Sequence, residues 1–237
     1  MIADKYIYLL LSLGFFIPAL LMMRRKEWRK PVIAAGLVGA AAGLFAETLY
    51  FVDYWAPPTL RGVAAHSVED ALFGFGVAAL ALCIYEYFEG GRPAAWVLNR
   101  KHAVHIVALM VIVLVSWLLL VKVAHLNSMI ATWITFLFTP AFLLWKRPKL
   151  WRRMIVSGVA MALIAGIIYA VLFGMLSKSY IANYFLLTDR SWDPTLFGFY
   201  PLAELVWYFM WGFSVAGIYP YIFDHTKPKL HEKPTNL

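Results

Sequence analysis

A chain of 237 residues in which 62% are hydrophobic and 14% charged departs far from the roughly 45–50% apolar and 25% charged make-up of an ordinary globular protein. A soluble protein of this length has too little interior to hide so much apolar surface. The same figures exclude a disordered chain, and a single cysteine, Cys83, excludes a disulfide scaffold. The formal charge of +8 would suit nucleic acid only as a basic face on a soluble domain.

A bilayer-spanning helix needs about 20 predominantly apolar residues. Seven stretches meet that requirement: 5–23, 32–52, 67–88, 103–123, 127–145, 154–176 and 200–223. Arg24, Arg25, Lys26, Arg29 and Lys30 follow the first, and Arg92, Arg100 and Lys101 follow the third. Lys146, Arg147, Lys149, Arg152 and Arg153 follow the fifth, and Lys227, Lys229 and Lys233 lie in the tail. Most of the 21 Lys and Arg therefore alternate onto one side, which predicts an N-terminus outside and a C-terminus in the cytoplasm. The expectation is an all-α, polytopic protein of a prokaryotic cell membrane, with the bilayer as partner and no role for nucleic acid. The first span has its positive cluster after it and none before, the pattern of a reverse-oriented anchor rather than a cleaved signal. Cys83, deep in the third span, reads as a small buried hydrophobe.

Two halves of the chain echo one another. Trp28-Arg29-Lys30 after the first span matches Trp151-Arg152-Arg153 after the fifth. Trp55 and Pro58-Thr59-Leu60-Arg61-Gly62 before the third match Trp192 and Pro194-Thr195-Leu196-Phe197-Gly198 before the seventh. Within those spans Asp70, Phe75, Ile84, Tyr85 and Tyr87 match Glu204, Phe209, Ile218, Tyr219 and Tyr221 at one constant offset. The reading is a parallel 3+1+3 repeat, with a site expected between the copies. Residues 1–90 form the first copy, 91–126 a connector with the fourth span, 127–223 the second copy, and 224–237 a basic cytoplasmic tail.

An ionisable residue inside a span costs roughly 2.5–3.5 kcal/mol on insertion scales and is a functional candidate by default. Glu47, Glu69, Asp70 and Glu204 converge near the outer boundary from three spans, with Asp53, His66 and His125 at similar depth. Glu47 continues a row of small residues, Gly36, Ala40 and Gly43, so it faces protein rather than lipid. Simpler roles stand beside these. Ser67-Val68-Glu69-Asp70 fits a capping box that would occupy Asp70. Pro201 suits a first helical position, and Glu204 would then complement the helix dipole. Glu69 points about 100° away from Asp70 around the helix, so the two are not expected to share one job. His66 and His125 also fit as polar interface residues, and Tyr85, Tyr87, Tyr219 and Tyr221 as an aromatic belt. Phe73, Phe75, Trp207, Tyr208 and Trp211 lie within two turns of the carboxylates and, with His66, are candidate substrate contacts. A carboxylic acid in an apolar pocket can protonate an unactivated double bond, aromatic faces can stabilise the resulting carbocation, and a second carboxylate can remove a proton. That set suits cyclisation, isomerisation or hydration of an isoprenoid.

At these residues the chain resembles the integral-membrane lycopene cyclase domain family, found as heterodimers or fused repeats. The first motif reads Ser67-Val68-Glu69-Asp70-Ala71-Leu72-Phe73 and closes with Cys83-Ile84-Tyr85-Glu86; the second reads Pro201-Leu202-Ala203-Glu204-Leu205-Val206-Trp207-Tyr208 after Leu187-Thr188-Asp189. Glu47 matches an acidic residue late in the family's second helix. The resemblance implies a redox-neutral, cofactor-free and metal-free proton-initiated cyclisation of a linear carotenoid end group. Glu69, Asp70, Glu204 and Glu47 would be its catalytic carboxylates, and self-association or association with other carotenoid enzymes would supply partners. Two positions depart from the family: Ser67 replaces a proline, and Ala203 replaces the first glutamate of the second motif. A non-catalytic carotenoid- or lipid-binding protein, or another isoprenoid isomerase or hydratase, is the alternative. A retinal protein would need a lysine in residues 200–223, which have none, and a prenyltransferase would need Asp-rich diphosphate motifs.

Overall fold

The structure, a computed structural model, describes residues 3–63, 66–89, 98–187 and 191–223. Arg92, Thr188, Asp189 and the basic tail 224–237 lie outside the described residues. The described residues are mostly helical, and seven helical segments are long and apolar enough to cross a membrane: Asp4–Met22, Lys26–Tyr50, Val68–Phe88, Arg100–Lys122, Ser128–Lys146, Pro148–Leu176 and Leu202–Ile222. The second and sixth start earlier than hydropathy suggests. In each, a 3₁₀ turn through the basic interfacial residues, Lys26–Trp28 and Pro148–Leu150, runs directly into the apolar helix.

Three single helices come first: α1 (Ile7–Met22), α2 (Arg29–Tyr50) and α3 (Val68–Phe88), followed by α4 (Arg100–Lys122). The later spans are broken. The fifth divides into α5 (Ser128–Phe136) and α6 (Phe138–Lys146). Pro140 has no N–H to offer the Phe136 carbonyl, and the Ser214 hydroxyl donates to that carbonyl instead at 3.2 Å. The sixth is α7 (Trp151–Tyr169), which widens into a π-helical stretch over Ala170–Leu176 and is followed by the short α8 (Tyr180–Tyr184). The seventh is α9 (Leu202–Val215) and α10 (Ile218–Ile222), interrupted four residues before Pro220.

α3 lies at the centre, packed on α1 and α2 and touching α7 and α9; α7 packs on α9, and α4 lies against α5, α6 and α10. Small residues set the closest crossings. A Cβ on Gly39 of α2 would overlap the Gly74 carbonyl and the Ala78 side chain of α3, and Gly212 of α9 meets Gly158 Cα and the Ser157 carbonyl of α7. In the same two pairs, Gly36 lies under the Phe75 ring and Gly158 under the Phe209 ring.

Each of α3 and α9 is preceded by a two-stranded hairpin. β1 (Pro58–Thr59) pairs with β2 (Gly62–Val63), and β3 (Thr195–Leu196) with β4 (Tyr200–Pro201), both antiparallel. Gly62 (φ 102°) and Gly198 (φ 76°) supply the left-handed backbone these turns need. Pro201, read from sequence as a first helical residue, instead has ψ 137° and ends β4, so α9 starts at Leu202. The strand-like conformation lets Pro201 serve as the helix N-cap while its carbonyl still leads into the first turn.

Candidate active-site cavity

A cavity of about 430 Å³ lies between α1, α2, α3, α4, α5, α7 and α9. Its walls are aliphatic and aromatic, and three carboxyl side chains enter it: Glu47 from α2, Asp70 from α3 and Glu204 from α9. All three are buried.

Asp70 does two things at once. Ser67 accepts from the Asp70 N–H at 3.2 Å, while the Ser67 N–H (2.6 Å) and hydroxyl (2.8 Å) donate to Asp70 Oδ2, which completes the capping box at the start of α3. The other oxygen, Oδ1, accepts from the Tyr8 hydroxyl of α1 at 2.5 Å. Capping therefore uses one edge of the carboxyl and leaves the other in the cavity wall. Glu204 lies in the first turn of α9, where the dipole favours it, but its main partners are tertiary. The Tyr169 hydroxyl donates to Oε2 at 2.6 Å, and the Tyr54 hydroxyl donates to Oε1. Glu47 accepts no side-chain hydrogen bond among the described residues, although it shares the cavity with Asp70.

Aromatic rings form one wall. Phe73 lies 6.3 Å from Trp207 at an interplanar angle of 28°, Trp207 stacks on Trp211 at 5.6 Å and 3°, and Phe136 flanks both indoles. Tyr208 stacks on Phe15 at 5.2 Å behind them. On the opposite side the Tyr50 hydroxyl bonds Thr132 at 2.7 Å, and Trp117 Nε1 donates to Thr132 at 3.0 Å. The Trp211 indole N–H is buried with no partner among the described residues.

Of the residues singled out from sequence, Glu47, Asp70, Glu204, Phe73, Trp207, Tyr208 and Trp211 line this cavity, and Glu69, Phe75 and His66 do not. Glu69 turns toward the first hairpin and accepts from the Leu60 N–H at 2.8 Å. Phe75 packs away from the cavity, on Phe16 and over Gly36. His66 is exposed, with its ring against the Leu44 carbonyl (2.8 Å) and Thr48. Asp53 has a local task, accepting from the N–H (2.9 Å) and hydroxyl (2.5 Å) of Ser128 at the start of α5, and His125 occupies a turn at φ 55°.

Tyr8, Tyr54 and Tyr169 were not recognisable as site residues from hydropathy, because a tyrosine near the end of a span reads as belt. Gly36 and Gly158 meet Phe75 and Phe209 in the same manner, and counting on equally from those glycines reaches Glu47 in one helix and Tyr169 in the other.

Outside the spans, Asp193 is buried beside the second hairpin and accepts from the Ala203 N–H at 2.7 Å. Burial pushes its carboxyl above the usual aspartate range, with the Ala203 hydrogen bond opposing. No protein-family model, curated protein or solved structure matches the chain.

Proposed function

We propose that this protein is an isoprenoid cyclase of the lycopene cyclase type, acting on the end group of a linear carotenoid. The observation that carries this reading is the convergence of Glu47, Asp70 and Glu204 on one apolar cavity with a stacked aromatic wall. Glu47, to which no side chain donates among the described residues, is the proton donor. Its O–H adds to a terminal double bond, whose π electrons form the new C–H bond and leave a tertiary cation. A neighbouring double bond attacks that cation to close the ring, and the Phe73, Trp207 and Trp211 faces stabilise the charge. Glu204, held by Tyr54 and Tyr169, removes a proton from the adjacent carbon to form the ring double bond. One proton enters and one leaves, so product and substrate are isomers.

The chain is read as a 3+1+3 parallel repeat, residues 1–90 and 127–223 about the connector 91–126, with N-terminus outside and C-terminus in the cytoplasm. Several paired contacts support the repeat. Arg25 lies 4.4 Å from the Tyr87 ring and donates to the Tyr87 carbonyl, while Arg147 lies 5.3 Å from the Tyr221 ring and donates to the neighbouring Pro220 carbonyl. The Gly36–Phe75 and Gly158–Phe209 contacts and the two hairpins repeat in the same order. The cavity lies where the copies meet.

The test is expression in a lycopene-accumulating host, with pigments extracted and separated by chromatography. Ring-bearing carotenoids made by the wild type and absent from Glu47→Gln and Glu204→Gln support the assignment. Unchanged lycopene alongside well-expressed protein overturns it. Lycopene that copurifies unchanged would mark a binding protein instead.

A further inference from the structure

The cavity has a side opening, and its position identifies the phase from which a ligand arrives. Most of the lining is buried or half-buried. The exposed lining residues are four: Ala42 and Phe45 on α2, and Met110 and Leu114 on α4. Phe45 is 52% exposed, Met110 38% and Leu114 37%. The cavity therefore reaches the outside of the protein between α2 and α4. At 1.5 Å per residue, Met110 lies about 15 Å along α4 from its start and Leu114 about 12 Å from its end. In a helix that crosses a hydrocarbon core about 30 Å thick, that is mid-membrane, and Ala42 and Phe45 lie about 12 and 8 Å from the hairpin end of α2, still within such a core. An opening at this depth, rimmed by Ala, Phe, Met and Leu, faces acyl chains and not water. α4 itself is the helix that the sequence pattern assigns to neither repeat, and it leans on α5, α6 and α10.

We propose that the cavity is loaded sideways from the bilayer, through a portal between α2 and α4, by the hydrocarbon end of an isoprenoid chain. This rests on the reading of the cavity as an isoprenoid site and adds the route and orientation of the ligand. The chain enters end-first, because the cavity is of a size that encloses one drug-sized group, within the roughly 300–1,000 Å³ typical of ligand pockets. The end group reaches Glu47, Asp70 and Glu204 while the rest of the chain lies through the portal in the lipid.

The test is photolabelling in proteoliposomes that contain geranylgeraniol bearing a diazirine at its hydrocarbon end, with labelled residues mapped by mass spectrometry. In the wild type, label is expected on interior residues such as Trp207 and Phe136. An indole placed at the mouth, Leu114→Trp or Met110→Trp, overfills it, and interior label falls about tenfold. Ile112→Trp, on the exposed face of α4 away from the cavity, leaves interior label unchanged. Equal interior label in all variants overturns the portal, and so does a wild type labelled only on lipid-facing residues. The readout needs no turnover, so a loaded cavity with no ring formation would refute the cyclase reading and leave the portal standing.

Discussion

The N–H of Ala203 donates to Asp193 at 2.7 Å, and the N–H of Leu60 donates to Glu69 at 2.8 Å, so each hairpin region is tied to the helix after it, with the carboxyl on opposite sides of the two joints. Glu69 and Ala203 are each the second residue of the helix that follows a hairpin. In the first joint the helix supplies the acid and the hairpin the N–H. In the second, the residue before the hairpin supplies the acid and the helix the N–H. Ala203 was the position that most weakened the likeness to the lycopene cyclases, since it lacks a glutamate found there. In this structure the Ala203 position belongs to a joint, which Asp193 closes from the hairpin side.

Asp193→Ala is expected to lower the stability of detergent-solubilised protein by about 1–3 kcal/mol, the cost of stranding a buried N–H, read as a fall in Tm. Asp193→Asn keeps an acceptor and separates charge from geometry. Burial raises the folded-state carboxyl above its unfolded value of 3.8, so the folded protein holds this proton more tightly. The contribution of Asp193 is then greatest at low pH and declines as pH rises from about 4 through the folded-state value. Tm of the wild type should fall over that window relative to Asp193→Asn; an identical pH profile for the two would refute the assignment.

For Glu69 the expectation separates structure from chemistry. Glu69→Gln retains an oxygen for the Leu60 N–H and should convert substrate at a rate close to wild type. Glu69→Ala should lower Tm, by about 1–3 kcal/mol in stability, while the surviving folded protein still forms product. Carotenoid yield normalised to folded protein distinguishes the two. A loss of on the order of 10²-fold or more in Glu69→Gln would return this residue to the reacting set.

Hydropathy and charge were enough to find the seven spans, because lipid imposes a length and a polarity that soluble packing does not. The breaks within the later spans were harder to read. Pro140 and Pro220 are visible in sequence, but whether a proline bends a membrane helix depends on what satisfies the freed carbonyl, here Ser214. The acids were legible as a group, and helix periodicity already set Glu69 apart from Asp70, but not which of the two would face the cavity. Asp70 and Glu69 are adjacent, yet one faces the cavity and the other the hairpin, a difference set by the start of α3 at Val68 and the capping serine before it. His66 and Phe75 lay at plausible depths but meet other partners, the Leu44 carbonyl and the Phe16 ring. The tyrosine donors were hidden because composition cannot tell a belt tyrosine from one that crosses a bundle interior to reach Glu204.

Gly39→Ala tests the packing that brings Glu47 to the cavity. The added Cβ would overlap the Gly74 carbonyl and Ala78, both fixed within α3, so α2 must move outward. Destabilisation of about 1–3 kcal/mol is expected. Activity should fall more than the folded fraction does, since Glu47 moves away from Asp70 with its helix. Leu37→Ala, on the exposed face of the same helix, serves as the control and should leave both Tm and activity near wild type. Equal behaviour of the two variants would show that the close crossing does not position the acid.

The last expectation concerns division of labour among the carboxyls. Glu47→Gln removes the only one of the three that receives no side-chain hydrogen bond among the described residues, and should reduce ring formation by on the order of 10²–10⁴-fold. Glu204→Gln should do the same, for the opposite reason. An amide presents an N–H₂ group to one of the hydroxyls of Tyr54 and Tyr169, so the variant loses its proton acceptor and part of its tether together. Tyr169→Phe keeps the acceptor and removes one of its two donors, and a loss of about tenfold is expected. Adding Tyr54→Phe should then cost more than the product of the single effects, because each hydroxyl can hold Glu204 in place when the other is gone. Initial rates of cyclised carotenoid in membranes, per folded protein, for these variants and for Tyr54→Phe alone, give all five values. If Tyr169→Phe matched Glu204→Gln in severity, the tyrosine itself would be passing the proton and Glu204 would serve to position it.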